Sequence, residues 1–170
     1  MSNDRLEVRE ARDADADAFA TFFRLAWQEA GPESPGFTGA DETTIAELTT
    51  PDAFRLRLAG PDRHLFLAWD DDRVVGFAAT RRIDPDRMEL SGIIVLESRT
   101  GQGVGTALVD SAISAARALG YDEMIVKTET DNHRARSFYE SRGFALSGVE
   151  TEHVDDLAVE VWRLVRPVRS

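Results

Sequence analysis

The 170-residue chain contains no cysteine, and Lys127 is the single lysine among its 20 basic residues. The first absence removes disulfides, thiolate metal sites and any covalent route through an acyl-cysteine. Histidine is scarce: His64, His133 and His153 lie far apart, without the short spacings of zinc sites, so no metal is expected. No apolar run approaches the ~20 residues that a membrane-spanning helix needs. The first stretch, MSNDRLEVREARDADAD, is acidic where a signal peptide is basic and then apolar. A soluble, cytoplasmic protein without a membrane partner is the expectation.

Positive charge is also in short supply, with a formal net charge of -11. Binding duplex nucleic acid needs a clustered excess of Lys and Arg, so no nucleic-acid partner is expected. A cationic acceptor would suit the acidic field, although such surfaces more often serve solubility. The preference for Arg over Lys and acidic runs such as Asp70 to Asp72 read as adaptation to salt, which screens repulsion between carboxylates.

At this length, and with 42% hydrophobic residues, one domain with one core is expected over residues 1–170. Leu6 to Ala11 alternates like a half-buried strand, and Asp13 to Ala30 carries Phe19, Phe23 and Trp27 at helical spacing. Gly31 to Gly39 reads as a loop, and Ala40 to Leu58 as a weaker helical stretch that Pro51 interrupts or restarts. His64 to Trp69 and Arg73 to Arg82 form a hairpin around Asp70 to Asp72. Glu89 to Leu96 is a third strand, so apolar that burial on both faces is predicted, with Gly92 marking a bulge or close approach.

Val104, Ala107, Leu108, Ala112, Ala115 and Leu119 then line a helix that ends at Gly120, and Met124 to Thr128 is a short strand. Asp131 is placed to cap a helix running to Arg142, closed by Gly143. Strands follow near Phe144 to Glu150 and Leu157 to Leu164.

Gly101-Gln102-Gly103-Val104-Gly105-Thr106 lies between the apolar strand and a helix start. Glycines there let backbone N–H groups turn toward an anion, and the helix dipole adds roughly half a positive charge. A pyrophosphate would suit it. The segment is not a P-loop, because Gly105 is followed by Thr106 and Ala107. Nor is it a dinucleotide fingerprint, since Thr106 stands at the sixth place and a hairpin precedes it. A glycine stretch alone is most simply a tight turn.

A second constellation joins it: Asn132, Ala135, Phe138, Tyr139, Gly143 and Phe144. With Gly103 and Gly105, these residues resemble the two motifs of the GNAT superfamily of N-acetyltransferases, strongly over Glu89 to Gly148. The departure is Thr100, where the family usually has Arg or Gln; Arg99, one place earlier, either substitutes from another angle or points to solvent. The resemblance implies an α/β (α+β) fold, a mostly antiparallel mixed sheet of about six to seven strands flanked by helices on both faces.

It also implies acetyl-CoA as co-substrate and an amine, on a small molecule or peptide, as acceptor; a homodimer is left open. Val95 and Leu96 would pair with the pantetheine arm, Gly101, Gln102, Gly103, Val104, Gly105 and Thr106 would hold the pyrophosphate, and Asn132 would touch the arm. In a ternary complex Glu89 would take the amine proton, Val95 N–H would stabilise the oxyanion, and Tyr139 would protonate the leaving thiolate. Glu89 reads equally as a strand-end carboxylate paired with Arg81, Arg82 or Arg87, while Glu97 and Asp131 are weaker candidates for the base. Trp27, Phe37 and Phe54 line an acceptor pocket or belong to the core. The rival to an enzyme is a non-catalytic acyl-CoA sensor or interaction module on the same fold.

Overall fold

A computed structural model describes residues 6–30, 50–60, 62–154 and 156–169. The loop expected at 31–39, the helical stretch at 40–49 and Phe37 lie outside these residues. Seven strands form a mixed sheet in the order β1-β2-β3-β4-β5-β7-β6. The chain groups into two compact units, one running to Thr80 and adding Gly92–Ala112, the other comprising Arg81–Ser91 and Ile113–Ser170.

In the first unit β1 (Leu6–Glu10) pairs antiparallel with β2 (Arg63–Asp70), Leu6 opposite Asp70 and Glu10 opposite Phe66. A 3₁₀ turn at Asp13–Asp15 leads into α1 (Ala16–Ala30), and Asp15 fixes that entry by accepting the Arg12 N–H at 2.9 Å. Phe19, Phe22, Phe23 and Ala26 recur at three- and four-residue intervals and are buried. Each such phenylalanine contributes roughly 1.5–3 kcal/mol by leaving water.

The partner of this stripe is α2 (Pro51–Leu58), whose Phe54 stacks on Phe19 with ring centroids 4.5 Å apart. Phe54 is therefore core and lines no pocket. Pro51 starts the helix, because its missing N–H falls where a helix has no acceptor to offer, and Thr50 caps it by accepting the Ala53 N–H at 3.2 Å. A tight turn with Asp71 at φ 55° separates β2 from β3 (Arg73–Asp84). Within β3, a Cβ on Gly76 would come within 2.7 Å of Val104 and 2.9 Å of Leu108. Only glycine lets the first turn of α3 (Val104–Ala118) lie so close to that strand.

In the second unit, β4 (Arg87–Val95) contributes Arg87 to Leu90, which pair in parallel with Glu123 to Val126 of β5 (Glu123–Glu129). β7 (Leu157–Pro167) pairs antiparallel with β5 on one side and with the edge strand β6 (Ala145–Val154) on the other, with a register shift between Leu146 and Gly148. Between β5 and β6 runs α4 (His133–Ser141). Gly143, at φ 91°, ends it in the left-handed region that favours glycine, and the Phe144 N–H returns to the Tyr139 carbonyl at 3.1 Å.

Four sequence expectations are corrected. Asn132, not Asp131, caps α4: its Oδ1 accepts the Ala135 N–H at 3.0 Å, while Asp131 is exposed. β4 is buried only over Met88 to Leu90, and its last four residues are half-buried, so continuous hydrophobicity does not mean burial on both faces. Gly92 makes no close approach, since a Cβ there would meet nothing within 4 Å. The buried stripe of α3 is Val104, Leu108, Val109, Ala112, Ile113 and Ala116, whereas Leu119 is exposed. Apolar residues on three sides of a helix leave its inward face to tertiary packing. No helix among the described residues is long and apolar enough to cross a membrane.

Candidate active site

The residues singled out in the sequence divide between the two units. Val95, Leu96 and Gly101 to Thr106 belong to the first; Glu89, Asn132 and Tyr139 belong to the second.

In the first unit β4 ends at Val95, and a 3₁₀ turn at Glu97–Arg99 carries the chain to the glycines. Leu96 is buried and its backbone is engaged on both sides, its N–H by Val75 O at 3.1 Å and its carbonyl by Arg99 N–H at 2.9 Å. Gly101 and Gly103 have φ of 82° and 83°, a region in which any other L-residue is strained. A Cβ on Gly101 would meet nothing within 4 Å, so that glycine serves conformation, not space.

Ala107 N–H closes the first α-turn onto Gly103 O at 3.0 Å. The N–H groups ahead of it, at Val104, Gly105 and Thr106, have no acceptor within the helix, as at any α-helix start. With the dipole of a 15-residue helix behind them, they suit an anion. Thr100 is exposed, and Gln102 is exposed with its amide donating to Ser98 O at 3.4 Å. Arg99 is engaged by Asp70, its Nη2 lying 2.6 Å from Asp70 Oδ2.

In the second unit Glu89 is buried on β4, and both its carboxylate oxygens accept hydrogen bonds from Arg81 Nη2, at 3.2 and 3.3 Å. Arg81 is among the partners considered for it. Tyr139 is buried against Phe138 and Phe144, with centroids 5.2 and 5.7 Å away. Burial pushes its hydroxyl pKa well above the ordinary value, so the phenol holds its proton through neutral pH. No hydrogen bond among the described residues engages that hydroxyl. Asn132 commits Oδ1 to the helix cap and keeps its amide N–H groups as donors.

Sequence reasoning missed a charged lattice on the same unit. Lys127 lies one residue beyond the stretch of β5 that pairs with β4 and directs Nζ to Glu152 at 2.5 Å and Glu150 at 3.3 Å, while Arg163 meets Glu150 at 3.3 Å. The hydrogen bond to Glu152 is the largest influence raising the Lys127 pKa, followed among the raising influences by Glu150 and the charge of Glu89. The available signal was the Glu150–Glu152 pair at strand spacing; its partner follows only from the register that sets Lys127 opposite Arg163. Among the described residues no three His, Asp or Glu side chains gather as a metal site would require.

Known proteins resemble this arrangement. An uncharacterized N-acetyltransferase of Mycobacterium tuberculosis is 32% identical over 94 residues, 55% of this chain and 60% of that protein. A mycothiol acetyltransferase of Geodermatophilus obscurus is 32% identical over 69% of this chain and 38% of its own length. The chain thus spans less than two thirds of these curated relatives. Among solved structures, the PaiA N-acetyltransferase of Thermoplasma acidophilum in complex with coenzyme A has a TM-score of 0.71 at 18% identity, covering 98% of this chain and 99% of that one. The ribosomal-protein-S18-alanine N-acetyltransferase of Escherichia coli gives 0.70 at 18%, over 97% and 95%. Those likenesses establish the fold. The model of the Acetyltransferase (GNAT) family matches residues 19–144, and to that family the chain belongs.

Proposed function

We propose that this protein is an N-acetyltransferase that binds acetyl-CoA and acetylates a primary amine. The observation that carries this reading is the glycine turn: two residues at positive φ, followed by a helix start whose first N–H groups are free of helical acceptors. Its chemistry fits a pyrophosphate. The donors are neutral backbone groups, the open side at Gly101 has room for a ligand, and Arg99 is already neutralised by Asp70. Gly101 to Thr106 would hold the pyrophosphate and Val95 the acyl arm; Leu96, with its backbone committed, would shape the site from behind.

Bound acetyl-CoA supplies an acetyl group already activated as a thioester. The chain's own residues then have three tasks. Val95 N–H polarises the carbonyl oxygen as an oxyanion donor. Glu89 receives the proton of the acceptor's ammonium, which for a lysine-like amine titrates near ~10.4. To do so it must give up part of its contact with Arg81. Tyr139, protonated at neutral pH, directs its O–H to the leaving sulfur. Because burial raises its pKa, the hydroxyl keeps its proton at neutral pH and is available as a donor.

Calorimetry with acetyl-CoA tests the reading, comparing wild type with Gly103→Glu. The variant places a side chain at φ 83° and a carboxylate beside the phosphates. Left-handed strain of ~1–2 kcal/mol and charge repulsion together should weaken binding about a hundredfold or more. Folded wild-type protein that binds no acetyl-CoA would sink the proposal.

A further inference from the structure

The short turn before the glycines is held from outside by two carboxylates. Asp70, at the end of β2, pairs with Arg99 at 2.6 Å, Asp70 being 23% and Arg99 35% exposed. Glu29, near the end of α1, accepts the Ser98 hydroxyl at 3.3 Å on one oxygen and the Ser98 N–H at 3.4 Å on the other. Inside the turn, Thr100 N–H reaches Glu97 O at 3.2 Å and Gln102 N–H reaches Arg99 O at 3.3 Å. Residues 98 and 99 are therefore tied to parts of the chain 69 and 29 positions away, immediately before the segment with two positive-φ glycines.

A flexible glycine segment gains affinity for an anion when its N–H groups are fixed in advance, since less order has to be imposed on binding. Within the turn itself, Thr100 is neutral and Arg99 is matched by Asp70. We propose that Asp70 and Glu29 are positioning residues for the donor turn, acting through Arg99 and Ser98, and that their tethers take the place of a side-chain phosphate contact. The inference rests on the donor-binding reading above. It assigns Arg99 a structural partner, against the alternative that Arg99 is a phosphate ligand held in reserve by Asp70.

The two accounts differ most in Asp70→Ala alone, which should weaken donor binding if the pair positions the turn and tighten it if Asp70 holds a phosphate ligand in reserve. The double variant Asp70→Ala/Arg99→Ala keeps the net local charge of wild type and so cancels the long-range Coulomb effect of either single change. If the pair positions the turn, the double variant should bind acetyl-CoA about three- to fivefold more weakly, the range of a partly exposed ion pair. The KM for donor should rise by the same factor, with kcat at saturating donor and the KM for acceptor unchanged. Glu29→Ala should weaken donor binding about threefold, and Glu29→Asp should restore part of it. Wild-type affinity in the double variant, or tighter binding by Asp70→Ala alone, would overturn the proposal.

Hydrogen exchange on the ligand-free protein gives a readout independent of donor. Amides of residues 97–106 should exchange faster in the double variant, while those in the second half of α3 stay as in wild type. Unchanged exchange at 97–106 would equally count against the tethers. Should the alanine variants fold poorly, Asp70→Asn removes the charge and keeps the shape, and the same exchange comparison applies. Wild type that binds no donor while the variants show the exchange change would defeat the donor reading and with it the positioning role, leaving only the tethering of the turn.

Discussion

The glycine turn of the first unit and the charged sheet face of the second are built from different materials. The turn is made of backbone: its shape depends on φ angles at Gly101 and Gly103, and the side chains of Glu29 and Asp70 contact it through Ser98 and Arg99. The sheet face is made of side chains, with Glu89 on Arg81 and Lys127 between Glu150 and Glu152. A backbone site tolerates almost no substitution at its few fixed positions. A lattice of partly exposed ion pairs spreads its energy, and any one member is worth little.

Tyr139→Phe should break that contrast most sharply, because in the proposed mechanism one side-chain atom in the second unit would carry a whole step. Turnover is expected to fall about a hundredfold with acetyl-CoA affinity within about twofold, the pattern of a group that acts only in the transition state. Steady-state kinetics alongside calorimetry decides it; unchanged kcat removes Tyr139 as the donor to sulfur.

Gly76→Ala sharpens the backbone side of the comparison. The added methyl would lie 2.7 Å from Val104 and 2.9 Å from Leu108, so α3 must shift at its first turn. A loss of about 1–3 kcal/mol in denaturant unfolding is expected, together with weaker donor binding. A variant with wild-type stability would show that the helix start has slack.

Lys127→Met should have the smallest effect, at most about 1 kcal/mol at neutral pH and less in high salt. The sign with pH follows from the raised pKa. The lysine's contribution is fully present below its unfolded value of ~10.4 and fades as pH rises through the higher folded value. Wild type and variant should therefore converge in stability in strong alkali. A gap that persists there would mean that packing of the side chain, not its charge, is what the substitution removes.

What the sequence made legible follows the same division. Positions that need a particular backbone conformation announce themselves, because only glycine serves Gly101, Gly103 and Gly143 at positive φ. The spacing of Asn132, Tyr139 and Phe144 was readable because one short helix and its end fix it. The cap was misplaced by one residue, since Asp131 and Asn132 are both good caps and only geometry chooses between them. Glu29, Asp70 and the Lys127 lattice were not readable: each depends on residues brought together by sheet register or chain return, over separations that no local pattern records.

The solitary lysine has a practical consequence. Its Nζ is kept as an ammonium by Glu150 and Glu152, and an ammonium has no lone pair to attack an electrophile. Amine-directed labels and aldehyde cross-linkers thus find one slow lysine target on this chain. If the chain acylates amines as proposed, it carries almost no reactive side-chain amine of its own, so stray acyl groups have little to attach to.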